Sequence, residues 1–172
     1  MIKAIVAADD NWGIGRGNKL LAHIPEDMEF FKEKTMNNIV IMGRKTYESL
    51  PKRPLPNRFN IVITSNIDKD NVLEIKNDNV IYVNMDTLKS ILPYLSMIPF
   101  DIYVIGGGMV YKELLPYCEQ LYITNIYKIY DDADTFFPNI NDMPEWELVW
   151  VSDIKTHKDI DYQFCTYQKK EV

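Results

Sequence analysis

Two cysteines, two histidines and only seven glycines in 172 residues leave little material for several common chemistries. Cys118 and Cys165 have no CxxC partner, and His23 and His157 stand in unrelated contexts, so neither zinc nor a disulfide framework is expected. The N-terminus lacks the basic, apolar and small-residue pattern of a secretion signal, so the thiols should be reduced and the expected compartment is the cytoplasm. No apolar run approaches the ~20 residues of a membrane span. A net charge of −6 argues against a nucleic-acid surface and requires that any anionic ligand be drawn by local basic residues. Nucleophile elbow, Walker A and G-x-G-x-x-G patterns are all missing. What is present, 47% hydrophobic and 26% charged residues, fits a single domain over 1–172 that buries its core without staples.

Residues 2–8, I-K-A-I-V-A-A, are apolar without alternation, the pattern of a central strand covered on both faces. Further short apolar runs at 38–42, 60–65, 79–83 and 101–105 alternate with helical patterns, which predicts an α/β fold with a mostly parallel sheet. Asp86 is expected to cap the helix carrying Leu88, Ile91, Leu92 and Leu95, and Pro93 to kink or end it. After residue 120 the pattern changes to alternating aromatic and β-branched residues at 120–127, 145–152 and 162–168, with no helix between them. These should pair antiparallel at one edge, giving a mixed sheet in three layers with its helices.

The chemistry gathers around residues 20–32, L-L-A-H-I-P-E-D-M-E-F-F-K. Pro25 suits the first turn of a helix. At ~100° per residue, Glu26, Glu29, Lys32 and Glu33 share the wet side while Asp27 falls with Met28, Phe30 and Phe31. Asp27 is either a first-turn acid that favours the helix dipole or a carboxylate turned inward toward a partner or ligand. Glu26 already serves the dipole from the wet side.

Three glycine-bearing segments flank this helix: Gly13, Gly15 and Gly17 in a long loop, Gly43 before R-K-T-Y-E-S, and Gly106, Gly107 and Gly108 before M-V-Y-K-E-L-L. The first is either a lid or an ordinary surface loop. Gly43 with Arg44, Lys45 and Thr46 reads as an anion cradle at a helix start, or as solvated charge. If the strands at 38–42 and 60–65 are parallel neighbours, Thr64 and Ser65 meet Arg44 and Lys45 at the carboxyl edge, the usual ligand side of such sheets. All seven glycines lie in these segments and none in an evident hairpin, so the three loops are expected to border one ligand. The proline-rich 51–58 segment either holds a carboxylate through Arg58 or is a rigid connector. The acidic D-D-A-D at 131–134 reads as solvated charge.

The segments N-W-G-I-G-R-G-N, I-P-E-D-M-E-F-F-K, I-V-I-M-G-R-K-T-Y-E-S, R-P-L-P-N-R, V-I-G-G-G-M-V-Y and A-D-T-F-F-P, in this order, resemble the dihydrofolate reductase family from Met1 to about Tyr167. The resemblance implies an eight-stranded mixed sheet with NADPH across its carboxyl edge and dihydrofolate against the nicotinamide. It implies that Asp27 bonds the pterin edge and promotes N5 protonation, with Thr124 in support. Met28, Phe31, Leu50 and Leu55 would line the folate pocket and Arg58 would clamp the glutamate carboxylate. Ile5, Val6, Ala7, Ile14 and Ile105 would surround the reacting rings. Arg44, Lys45 and Ser65 match binders of the 2′-phosphate, and Thr46 with Gly106, Gly107 and Gly108 match the pyrophosphate contacts. Gly43, Thr64 and the helix start Met109, Val110 and Tyr111 complete the expected cofactor side. The family joins the first two glycines of that run by a cis peptide, and Asp134 matches an acid that steadies the loop over the site. Antifolates are expected inhibitors, and a monomer without metal, nucleic acid or membrane contact is the expected form.

One departure stands out. Where family members usually read Leu-Pro-Trp, this chain reads Leu20-Leu21-Ala22, which should leave a gap beside the reacting rings. The rival readings are a riboflavin-pathway-type reductase, opposed by Asp27 and Arg58, and an NADPH-binding module without turnover.

Overall fold

The computed structural model describes residues 1–67, 73–77 and 79–171, the segment 73–77 by its backbone. In chain order the strands are β1 (Ile2–Ala8), β2 (Gly13–Gly15), β3 (Ile39–Gly43), β4 (Phe59–Ile63), β5 (Leu73–Asn77), β6 (Val80–Val83), β7 (Ile102–Gly106), β8 (Gln120–Ile126), β9 (Thr135–Phe136), β10 (Trp146–Val151), β11 (Lys155–His157) and β12 (Ile160–Lys169). The helices are α1 (Pro25–Thr35), α2 (Arg44–Ser49), α3 (Met85–Leu95) and α4 (Gly108–Leu114).

The main sheet runs β10-β12-β8-β1-β7-β3-β4-β6, with β5 added beyond β6 and β11 paired to β12. Its first eight strands are those that the residue pattern predicts. β1 is central and parallel to both neighbours, β7 and β8, which follows from the absence of polar alternation in residues 2–8. The C-terminal strands β12 and β10 pair antiparallel on the β8 side, as their alternation requires. The added β5 makes the opposite edge antiparallel too.

Apolar residues from both faces of the sheet form the core. Val40, Val80, Val83, Leu88, Ile102, Leu114 and Leu121 are fully buried in it. The cap of α3 differs from expectation: Asn84, not Asp86, accepts from the Thr87 N–H at 2.8 Å. Asn84 has the extended backbone a cap needs and sits three residues before that N–H, whereas Asp86 already lies inside the first turn. Pro93 is held within α3, which stops two residues later at Leu95.

Candidate active site

Because β3 and β4 are parallel and in register to Gly43↔Ile63, the residues that follow them emerge side by side. Arg44, Lys45 and Thr46 therefore share the carboxyl edge with Thr64 and Ser65. Arg44, Lys45 and Ser65 are exposed there, and the Arg44 Nε donates to Glu48 at 2.9 Å. The end of β7 lies against the same edge: a Cβ on Gly43 would sit 3.9 Å from the Gly107 nitrogen and 3.2 Å from Val110 Cγ2. The Gly106–Gly107 peptide is cis. A Cβ on Gly107 would meet Thr46 Oγ1 at 3.3 Å, so the two glycines and this threonine form a cradle that larger residues would fill. Neither α2 nor α4 has a side-chain cap at its N-terminus, which leaves first-turn N–H groups at this edge available to an anion.

The structure separates the remaining members of that run. Gly108 sits where a Cβ would lie 2.7 Å from Thr135 Cγ2, so close packing on β9 explains it without a ligand. Met109 is 74% exposed. Val110 and Tyr111 are buried beneath the edge, and the Tyr111 hydroxyl donates to the Ile5 carbonyl at 2.7 Å, tying α4 to β1. Gly17 corrects the expectation that no glycine serves a hairpin. With Asn18 it occupies positive φ (54° and 61°) between Arg16 and Lys19, which pair through both backbone bonds. That is the geometry a tight two-residue turn demands.

The 9–20 loop is pinned at several points. Asp9, buried, accepts from the Asn11, Gly13 and Tyr130 N–H groups. β2 pairs with β9, burying Ile14. The acidic segment is not simply solvated: Arg16 donates to Asp132, and Asp134 accepts from the Gly17 N–H at 2.9 Å. That backbone bond and the Thr135 hydroxyl hold the Asp134 carboxyl below its ordinary range. Asp134 thus acts while ionised, and its hold on Gly17 is lost as acid protonates it.

Asp27, in the first turn of α1, faces the sheet. The Thr124 hydroxyl, from β8, donates to its Oδ1 at 2.6 Å, and Thr124 pairs with Ala7 of β1. Burial raises the carboxyl above the usual range; the Thr124 bond opposes this and the charge of Glu26 adds to it. The inward alternative for Asp27 is therefore the observed one. Ile5 is buried, while Val6, Ala7 and Ile105 are half-buried near the carboxyl ends of β1 and β7.

Beyond Asp27 a pocket of about 390 Å³ is lined by Met28, Phe31, Leu55 and Arg58, among others. Leu50 packs in the same cluster as Phe31 and Leu55. Arg58 is 6% exposed, with its donors on the Pro56 carbonyl and the Thr35 hydroxyl and no acid partner among the described residues. Burial lowers its pKa. A guanidinium so placed at a pocket wall has the geometry to bind a carboxylate in a two-pronged fork.

Sequence reasoning missed two features. Asp9 looked like part of a polar loop start, and its role depends on Tyr130, far along the chain. Glu26, read as wet, accepts from the Tyr162 hydroxyl at 2.6 Å and pairs with Lys155 at 2.9 Å. No local pattern links these three residues, because β11 and β12 lie at the other end of the sequence.

The comparisons with known proteins agree with this geometry. A family model described as Dihydrofolate reductase matches residues 1–169. The dihydrofolate reductase of Bacillus subtilis (strain 168) is 41% identical over 174 residues, covering 99% of this chain and 95% of that protein. That of Enterococcus faecium is 40% identical over 171 residues, covering 98% and 97%. A solved dihydrofolate reductase from Enterococcus faecalis, complexed with NADP(H) and RAB-propyl, superposes with a TM-score of 0.84 at 36% identity, covering 99% of this chain and 97% of that one. With its inward carboxylate, its buried arginine and matches that span nearly its whole length, the chain belongs to the dihydrofolate reductase family.

Proposed function

We propose that this chain reduces 7,8-dihydrofolate to 5,6,7,8-tetrahydrofolate with NADPH, as one catalytic domain over 1–172. The observation that carries the reading is the pairing of two charged side chains on neighbouring elements: Asp27, half-buried and held by Thr124, on the helix whose Met28 and Phe31 line the Arg58 pocket, and Arg58, buried with no acid partner among the described residues. A pterin offers an amino and ring N–H edge to the first, and its glutamate tail a carboxylate to the second. NADPH supplies the hydride. Arg44, Lys45 and Ser65 take its 2′-phosphate, while Thr46, Gly43 and the Gly106–Gly107 cradle take the pyrophosphate; the exposed cations and uncapped helix starts suit those anions. Thr64, Gly108 and the backbone of Met109, Val110 and Tyr111 complete that side.

Asp27 holds the pterin edge and favours a proton at N5, and Thr124 fixes the carboxylate rotamer. Ile5, Val6, Ala7, Ile14 and Ile105 exclude water from the reacting rings, which strengthens the Asp27 interaction. Met28, Phe31, Leu50 and Leu55 wrap the remainder of the substrate. Asp134 acts on the loop that carries Ile14. Asp134→Ala is expected to lower kcat/KM several-fold with little change in thermal stability, since the residue is exposed; stopped-flow kinetics beside a melting curve measures both.

Antifolates that imitate the pterin edge should bind the same Asp27. No helix among the described residues is long and apolar enough to cross a membrane, and the free, buried thiols of Cys118 and Cys165 support a reducing cytoplasm. The deciding experiment follows NADPH oxidation by purified protein with dihydrofolate. Binding of both ligands without turnover would leave only an NADPH-binding module.

Ala22 predicts altered fit. It is half-buried against the Ile24, Ile126, Tyr162 and Phe164 cluster, together with Ala7 and Phe30, so it borders the region of Asp27. Ala22→Trp should tighten dihydrofolate or antifolate binding by about 10-fold through added apolar contact. Unchanged affinity in a titration would refute it.

A further inference from the structure

Two consecutive carboxylates in the first turn of α1 have opposite surroundings. Asp27 faces inward to Thr124 on β8. Glu26 reaches the other way, across to the β11–β12 hairpin, where Tyr162 Oη donates to its Oε2 at 2.6 Å and Lys155 Nζ lies 2.9 Å from its Oε1. Tyr162 is buried and stacks edge-on with Phe164, whose ring lies 4.6 Å, centroid to centroid, from Phe30 on α1. Both Glu26 oxygens are thereby held against a rigid part of the sheet. α1 has no side-chain cap of its own, its N-cap being Ile24, so this contact is what fixes the polar side of the turn from which Asp27 projects.

We propose that Glu26, pinned by Tyr162 and Lys155, is a positioning residue for Asp27: it anchors the first turn of α1 and lays a fixed negative charge, partly offset by Lys155, beside the carboxylate that meets the substrate. The proposal rests on the folate-reducing reading of the site. The groups that bear on Asp27 are Glu26 on its own helix, Thr124 on β8, Tyr111 on α4 and Tyr162 on β12, with Lys155 on β11 acting through Glu26. Of these, Thr124 and the two tyrosines are neutral over the working range; burial and the bond to Glu26 push the Tyr162 hydroxyl up to about 12. The fixed charges are therefore Glu26 and Lys155. The Tyr162 and Lys155 bonds keep Glu26 below its ordinary range, so it stays ionised while Asp27, raised by burial, titrates. An environment that separates two neighbouring carboxyl groups in this way assigns them different roles.

The two charges make predictions of opposite sign. Glu26→Gln removes the negative neighbour and leaves Lys155, so the Asp27 transition should move to lower pH. Lys155→Gln leaves Glu26 uncompensated, so the transition should move to higher pH. Each shift should be on the order of a few tenths of a pH unit, given charges near the protein surface. Lys155→Arg should restore the wild-type position, and 1 M salt should shrink both shifts because Glu26 and Lys155 are partly exposed.

The experiment reads the transition twice: as the pH dependence of kcat/KM for dihydrofolate, and as the NMR titration of the Asp27 carboxyl carbon in ligand-free protein. Opposite shifts in both readouts support the proposal. Shifts of the same sign, or losses of activity with the transition unmoved, overturn it and leave Glu26 a plain structural tether. A wild-type protein without turnover would defeat the folate-reducing reading, while the NMR titration would still decide whether Glu26 and Lys155 act on Asp27.

Discussion

Asp27→Asn is expected to lower kcat/KM for dihydrofolate at neutral pH by about 10²- to 10⁴-fold, the usual span for losing a positioned proton-handling group. The amide keeps the size of the carboxyl and can still accept from Thr124, so the loss would not be one of packing. In the wild type, activity should fall as pH rises through the Asp27 transition, which lies above the ordinary carboxyl range because burial disfavours its charge. The variant should lose that inflection, and its residual rate should climb only toward acid, where solvent protonates the substrate.

Stability should move the other way. A carboxyl whose folded pKa is raised contributes stability that is complete below its unfolded pKa and lost as pH rises through the folded one. At neutral pH the folded wild type therefore carries the cost of an ionised, desolvated Asp27, and Asp27→Asn removes it. Ligand-free variant protein should melt higher than wild type at neutral pH, each kcal/mol relieved being worth about 2–4 °C in a chain of this size. The difference should vanish in acid, below both pKa values. A variant that retains activity at neutral pH, or that melts lower, would remove Asp27 from its assigned role.

Arg58→Leu carries the second large effect. Arg58 is buried, satisfied by a carbonyl and a hydroxyl, and lacks an acid among the described residues. A substrate carboxylate would complete it, and removing one member of such a desolvated pair costs about 2–5 kcal/mol, roughly 30- to 5,000-fold in affinity. The loss should appear in KM and in the measured Kd, with kcat largely kept, because the carboxylate tail is remote from the reacting ring. A truncated substrate without the glutamate should show no difference between wild type and variant. Ligand-free stability should hold or rise, since an uncompensated buried charge is replaced by an apolar side chain. The Thr35 hydroxyl keeps its bond to the Phe31 carbonyl after the change.

The order of elements was legible along the chain because it depends on short-range pattern. Unalternating apolar runs produced β1, β3, β4 and β7, and the alternation after residue 120 produced β8, β10 and β12. β2 and β9 were not legible. They are three and two residues long, and a glycine-rich strand has no propensity to announce; it forms because β9 is carried to it from far along the chain. The loop glycines show the same limit. Their positions were plain, but Gly17 serves a tight turn and Gly108 packs on Thr135, leaving Gly43 and Gly107 at the shared edge.

By itself the sequence determined the α/β class, the family and the placing of Asp27 on the apolar side of its helix, since helical periodicity and motif order are properties of neighbouring residues. Only the tertiary structure decided what Asp27, Arg58 and Glu26 meet. Thr124 and Tyr162 arrive from strands 97 and 136 residues away, and Arg58 is buried beside Thr35 of α1 with no acid partner among the described residues. Proton affinity and charge isolation follow from desolvation and contact, and both are created when the sheet closes on the helix.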